Sequence, residues 1–376
     1  MRPCLARIHL DRLRSNYREI KALAGEGVEL FPVVKADAYG HGAVQCARAL
    51  ADEGVRTFCV ACVEEAQELL DSGLAGRFLL LSGIFPGEEK EVVRLGLIPV
   101  LSDLDAARRL SEEARRQNKK VILHLMVDTG MGRLGVLPEG FSEAYNEISK
   151  LAGVEIEGVC SHLSCADSLR EKDENFSRKQ IEDFALIQTA LLKKGAGIKY
   201  YHLAQSAGLI KYPDSHFNSA RPGIILYGAS PFYPAEVRLP AILPVMSLLS
   251  KVGLLKTVPP GSSISYGATT VLKRKSRVGV VSIGYADGLP RSLPAGFHFM
   301  VRGRPAPLLG VVTMDLIMID LTEIPEAREG DEVVVFGREP DGEVNASALA
   351  HAARTISYEV FTRLGRRVKR EYLGMD

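Results

Sequence analysis

Eight apolar, strand-like runs separated by amphipathic segments dominate the first 230 or so residues of this 376-residue chain. The runs fall at residues 28–35, 56–60, 77–81, 97–101, 120–127, 154–161, 199–204 and 223–227. Between them, residues 43–51, 64–70, 102–116 and 177–194 repeat apolar side chains at helical spacing, with Ser102 and Ser177 as N-cap candidates. Eight such strand–helix units predict an α/β fold, a (β/α)₈ TIM-type barrel rather than an open doubly wound sheet. A further strand at residues 6–10 and a helix capped by Asp11 and running to Leu23 precede the alternation.

Past Gly228 the pattern changes. Pro231, Pro234, Pro240 and Pro244 mark a connection, and the runs that follow, at residues 246–256, 277–285, 307–319 and 331–336, are β-branched and punctuated by turns. The expected organisation is a barrel over residues 1–230 and a mainly β domain over residues 231–376, with one short helix at 347–354. The first strand is a candidate to join the β domain.

Composition narrows the possible partners. Basic and acidic residues nearly cancel, 47 against 46, so no broad field points to nucleic acid or an anionic membrane. Residues 1–11 carry charges where a secretory leader needs an apolar run, and no later stretch is long enough to span a bilayer, which suggests a cytoplasmic protein. The six cysteines all lie between Cys4 and Cys165, which reads as reduced thiols rather than a disulfide framework. Cys59 and Cys62 have zinc or redox spacing, and Cys160, His162 and Cys165 lie downstream. Cys59 nevertheless sits inside an apolar run, and small thiols are common in cores, so no metal site is expected.

Barrel enzymes carry their chemistry at the C-terminal ends of the strands, with phosphate preferred after strands seven and eight. The unusual polar residues of this chain fall at those positions. Lys35 ends the first run, Asp128 to Arg133 follow the fifth, His162 ends the sixth, Ser206 follows the seventh and Arg221-Pro222-Gly223-Ile224 lies at the eighth. Lys35 alone has two readings: a stem packed at a strand end with its ammonium snorkelling into water, or a desolvated amine suited to forming a Schiff base. Together the positions suit a phosphorylated carbonyl compound.

The motifs in this framework resemble those of the alanine racemases. Val33-Val34-Lys35-Ala36-Asp37-Ala38-Tyr39-Gly40-His41-Gly42 is similar to that family's pyridoxal-phosphate lysine motif. In order, Asp128-Thr129-Gly130-Met131-Gly132-Arg133-Leu134-Gly135, Arg221-Pro222-Gly223, Ser265-Tyr266-Gly267-Ala268, Gly284-Tyr285-Ala286-Asp287-Gly288, Met314-Asp315 and Ile356-Ser357-Tyr358-Glu359-Val360 also resemble it. The resemblance implies an isomerase that interconverts L-alanine and D-alanine, supplying D-alanine for cell-wall synthesis, with pyridoxal 5'-phosphate as cofactor. It also implies a homodimer whose active sites are shared between subunits.

By the same resemblance, Lys35 is the Schiff-base lysine and one of two catalytic bases, and Tyr266 from the other subunit is the second. Arg221 approaches the pyridine nitrogen, and His162 connects Arg221 to Tyr266. Tyr39, Ser206, Tyr358 and the backbone of Gly223 and Ile224 hold the phosphate. Arg133 reaches the cofactor's phenolic oxygen and the substrate carboxylate, and the Met314 backbone amide of the other subunit takes the remaining carboxylate oxygen. Asp315 is support.

Two positions depart from the family pattern. Where many members carry a lysine modified by carbon dioxide, this chain has Met126, so Arg133 needs another partner, expected to be a bound anion or a neighbouring carboxylate. Thr313 stands where a cysteine is common. Serine or another small amino acid remains an alternative substrate. A basic amino-acid decarboxylase is disfavoured because no cysteine follows Cys165, and a pyridoxal-phosphate carrier is disfavoured by the β domain.

Overall fold

The computed structural model describes residues 3–235 and 237–375; Met1 and Arg2, part of the charged start noted above, lie outside the described residues. Eight parallel strands, β2 (Glu29–Leu30), β3 (Thr57–Val60), β4 (Arg77–Leu80), β5 (Ile98–Leu101), β6 (Val121–Met126), β7 (Val154–Cys160), β8 (Tyr200–His202) and β9 (Ser219–Ala220), pair in the order β2-β9-β8-β7-β6-β5-β4-β3. The ring is closed between its end strands by Val34 N–H donating to Cys59 O at 2.9 Å and Cys59 N–H donating to Pro32 O at 2.8 Å. Phe58 and Phe78 on these strands, and Phe31 just after β2, are fully buried. The alternating runs therefore build the expected (β/α)₈ barrel.

The eighth run departs from expectation. Ser219–Ala220 forms the strand, and residues 223–227 contain a 3₁₀ helix, Ile224–Tyr227. All four helical residues are fully buried, so apolarity alone could not separate a short buried helix from a buried strand. The first run is likewise cut short, since Lys35 opens a turn rather than ending a strand.

Three helix starts also move. The first helix begins at Leu10, which places Asp11 in its first turn rather than at the cap, where its charge still suits the helix dipole. Asp103, not Ser102, caps Leu104–Arg116 through its carboxylate and the Ala106 N–H. Ser177 lies within Glu171–Lys193, buried against the barrel.

β1 (Leu5–His9) leaves the barrel altogether. It lies between β10 (Met246–Val258), to which it is antiparallel, and the C-terminal strand Lys369–Leu373, to which it is parallel. The two chain ends thus stitch the barrel half to a nine-stranded sheet. Residues 307–319, read as one run, hold parts of two antiparallel strands, Arg304–Leu309 and Ile317–Asp320, joined by a loop carrying Met314. Among the described residues no helix is long and apolar enough to cross a membrane.

Candidate active site

Lys35 sits where the chain leaves the closed edge of the barrel, at the start of a single left-handed turn. Ala36, Asp37, Ala38 and Tyr39 all have φ between 52° and 54°. L-residues in this conformation each cost about 1–2 kcal/mol, so four in succession persist only where the surroundings hold them. Glu65 provides one hold, accepting from Ala36 N–H at 2.8 Å while its other oxygen accepts from Ala61 N–H at 2.7 Å. Asp37 accepts from Ala43 N–H at 2.8 Å. The buried His41 ring presents Nδ1 to the Ala38 and Tyr39 carbonyls at 3.0 and 2.9 Å, and Tyr227 Oη donates to Val33 O at 2.9 Å. The turn fixes where the amine begins.

The amine opens into a cleft of about 740 Å³ at the C-terminal ends of the strands. One group of lining residues is tied together locally. Ser206 Oγ accepts from Gly223 N–H at 2.9 Å, and the Tyr39 and Tyr358 rings lie 5.8 Å apart. A Cβ on Gly223 would meet Tyr39 Oη at 2.6 Å, so only glycine allows that approach. Three hydroxyls and the start of the 3₁₀ helix at Ile224 therefore converge, a neutral donor set suited to a phosphate. The residues present fit pyridoxal 5'-phosphate: an amine for its carbonyl, and a compact hydroxyl and amide cradle for its phosphate.

Lys35, Arg133 and Arg221, with His162 beside them, form a second group in the same cleft that carries only basic side chains. Burial, then the Arg133 charge, with a smaller contribution from Arg221, lowers the Lys35 pKa below the ordinary lysine value. His162 is held neutral, its pKa pressed down to about 3 by burial and then by Arg221, Arg133 and Lys35. Arg221 is 4% exposed and is wrapped by acceptors, the carbonyls of Ser161 at 2.6 Å and His202 at 2.8 Å and the His202 Nδ1 atom. Its imidazole partner is thus His202, with His162 standing beside it on the cleft wall. Met126 is buried on that wall, and among the described residues Arg133 makes no hydrogen bond or ion pair, so no carboxylate takes the missing lysine's place.

Cys59 and Cys160 are buried on β3 and β7, their pKa values raised by burial to about 12 and about 11. Both are packed core thiols.

Tyr266 and Met314 are not in this cleft. Tyr266 is 73% exposed, on a loop whose Ser265 Oγ donates to Val311 O at 2.9 Å. Met314 is also exposed, and its carbonyl accepts from Ala286 N–H at 3.0 Å. Gly284 permits this contact, since a Cβ there would lie 2.3 Å from Met314 O. Asp315 pairs with Arg367 at 2.6 Å. The β domain thus gathers both residues in one cluster of surface loops, away from Lys35 of the same chain.

Sequence reading missed three contributors. His202 was visible as a histidine at the end of the seventh strand, next to the strand that leads to His162, but nothing in the sequence marked which of the two meets Arg221. Gln205 caps the helix after β8, accepting from Ala207 and Gly208 N–H, which leaves the Ser206 hydroxyl to the cleft. Glu65 lies in a helix read only for its apolar face.

Two family models match the chain, the alanine racemase N-terminal domain over residues 8–231 and the alanine racemase C-terminal domain over residues 245–372. "Alanine racemase 2" of Caldanaerobacter subterraneus is 39% identical over 374 residues, 99% of this chain and 95% of that protein. The alanine racemase of Geobacter sulfurreducens is also 39% identical, over 99% of this chain and 98% of its own length. Among solved structures, an alanine racemase from Clostridium difficile superposes with a TM-score of 0.91 at 34% identity, covering 99% of this chain and 96% of the other. The biosynthetic alanine racemase of Pseudomonas aeruginosa gives 0.88 at 35% identity, covering 99% of this chain and all of the other. With both domain models matched in order and relatives aligned end to end, this chain belongs to the alanine racemase family.

Proposed function

We propose that this protein interconverts L-alanine and D-alanine with pyridoxal 5'-phosphate, as a homodimer in which each cleft is completed by Tyr266 and Met314 of a second copy. One observation carries the reading: a lysine held at the mouth of a closed barrel by a left-handed turn, its pKa lowered, between a neutral phosphate cradle and a buried guanidinium.

When bound, pyridoxal 5'-phosphate supplies a carbonyl for amine condensation and a conjugated ring that delocalises the electron pair left on Cα when its proton is removed. The chain supplies the rest. Tyr39, Tyr358, Ser206 and the Gly223–Ile224 backbone bind the phosphate without a cation of their own. Lys35, whose lowered pKa favours the nucleophilic free amine more than in an ordinary lysine, exchanges the Cα proton on one face. Tyr266 exchanges it on the opposite face. Arg133 receives the substrate carboxylate, and the Met314 N–H of the second copy takes its other oxygen. Arg221 would face the ring nitrogen with a permanent cation and would keep that nitrogen unprotonated. His162, on the cleft wall beside Arg221, would link that guanidinium to Tyr266.

The test is chiral analysis of pure L-alanine incubated with the cofactor-loaded protein. Conversion to the racemate is expected, and none at saturating cofactor would overturn the reading.

A further inference from the structure

Arg221 is buried, and its guanidinium has donors and no acceptor, so every atom facing it must accept. Three of those atoms are carbonyl oxygens, of His202 at 2.8 Å, Ser161 at 2.6 Å and Leu203 at 3.3 Å. The fourth is His202 Nδ1, in contact with Nη1. A proton on that nitrogen would set two donors head to head. His202 therefore carries its proton on Nε2.

The consequence propagates. His202 Nε2 lies 2.7 Å from His124 Nδ1, which must accept and leaves the His124 proton on Nε2. His124 Nε2 has no hydrogen-bond partner among the described residues and faces Glu157 Oε2 at 3.6 Å, an electrostatic contact beyond hydrogen-bond length. Glu157 is bound in turn by Arg77. The four side chains come from β8, β6, β7 and β4 and run through the barrel interior, away from the cleft. Both imidazoles are essentially inaccessible to water, and among the described residues Arg221 has no carboxylate partner.

We infer that Glu157 is the remote counter-charge of Arg221, acting through His124 and His202 held as Nε2–H tautomers, and that this chain positions the guanidinium at the cofactor's ring nitrogen. The positioning half rests on the role given to Arg221 above. Carboxylate–imidazole pairs orient metal ligands by the same means, with the far carboxylate raising the basicity of the near nitrogen. Here the beneficiary is a buried cation.

The charged and titratable groups around the chain agree with neutral imidazoles. His202 faces Arg221 and His124, and burial followed by the Arg221 charge lowers its pKa. His124 faces Glu157, Arg77 and Arg221, and burial again dominates in lowering its pKa. Burial opposes ionisation of Glu157, but His124 and Arg77 outweigh it and hold that carboxyl at about 2, with Lys199 also within electrostatic reach. Phe31 and Tyr200 close the remaining sides of the His124 ring.

The experiment is nitrogen-15 NMR of the full-length protein with labelled histidine, without cofactor and then with pyridoxal 5'-phosphate, the signals assigned by single replacement of the eight histidines. His124 and His202 are expected to be neutral Nε2–H tautomers at every pH from 8 to 6. An Nδ1–H tautomer or an imidazolium at either would overturn the assignment.

Glu157→Gln keeps an acceptor oxygen and removes the charge. It is expected to shift the ring nitrogens of His202, which Glu157 does not touch, and to lower kcat in both directions about 10-fold with KM for alanine nearly unchanged. Unmoved His202 signals, or an unchanged kcat in a variant that melts as the parent does, would overturn the positioning role. Because the tautomers are read without substrate, a protein inactive on alanine would overturn the racemase reading and leave this test standing.

Discussion

The barrel and the β domain each carry half of the proposed chemistry, and the two halves are built differently. In the barrel, Lys35 begins a turn clamped by Glu65, Asp37 and His41, Ser206 is already bonded to Gly223, and Arg221 is buried among acceptors. In the β domain, Tyr266 stands 73% exposed on a loop, with Met314, Tyr285 and Leu316 also exposed nearby. A half-site that must hold a cofactor before substrate arrives gains from preorganisation, whose cost is met in folding. A half-site that joins across an interface is left open to solvent in the single chain, and large exposed apolar side chains on it suit burial by a partner.

The sharpest way to break this comparison is to remove one base from each half. Lys35→Ala removes both the amine that holds the cofactor and one base, and racemisation is expected to fall roughly 10⁴-fold in both directions. Tyr266→Phe keeps the ring and loses the proton, and a loss of roughly 10³-fold is expected in both directions, because each direction takes the proton from one face of Cα and returns it to the other. Each variant alone is nearly inactive. Mixing the two under conditions that exchange subunits is expected to restore activity, since one site of the mixed dimer joins an intact Lys35 to an intact Tyr266. No recovery from verified mixed dimers would place both bases in one chain and end the two-half account.

What could be read from the sequence follows the same division. The barrel half was legible because eight apolar runs at regular spacing leave few alternatives, and because the strand-end rule assigns meaning to a lysine, a histidine and an arginine where they occur. The left-handed turn was not legible. Ala36, Asp37, Ala38 and Tyr39 are ordinary residues with no intrinsic preference for positive φ, and the turn is imposed by Glu65 and His41 from the surroundings. The buried run at Ile224–Tyr227 misled for a related reason: with every residue inside, no polar face records the period. Tyr266 was legible only through its motif, because an exposed tyrosine on a loop leaves no periodic pattern within the chain.

A third prediction separates the halves by acid. His41, His124, His162 and His202, all in the barrel, are buried with lowered pKa values, to about 3 for His41 and His162, and in each case burial is the first cause. In the unfolded chain each binds a proton near pH 6.5, and in the folded barrel it does not, so their contribution is fully present above that pH and is lost as pH falls below it. Between pH 8 and pH 6, His41 and His162 are each expected to cost just under about 1 kcal/mol, and His124 and His202 add to the loss in the same direction. Urea unfolding of the cofactor-free protein at the two pH values measures this. A flat profile would mean that the barrel histidines accept protons without unfolding, and the neutral imidazoles on which both Arg221 and the Lys35 turn depend would be wrong.

The smallest expected effect tests how rigid the barrel half is. Gly223 lies against Tyr39 with no room for a methyl group, since a Cβ would stand 2.6 Å from the Tyr39 oxygen. Gly223→Ala therefore sets a methyl group against the Tyr39 oxygen. A preformed cradle cannot yield: Tyr39 must swing off the phosphate position or the 3₁₀ helix must shift, and pyridoxal 5'-phosphate binding is expected to weaken about 10-fold, worth about 1.4 kcal/mol. Dialysis against graded cofactor, read by absorbance, gives the affinity, and Tyr39→Phe in the same background removes the colliding oxygen. If Gly223→Ala weakens binding and the added Tyr39→Phe recovers part of it, the clash is the cause and the cradle is stiff. If the single variant binds as the parent does, the barrel half adapts on loading, and the contrast with the open β-domain loops is one of exposure alone.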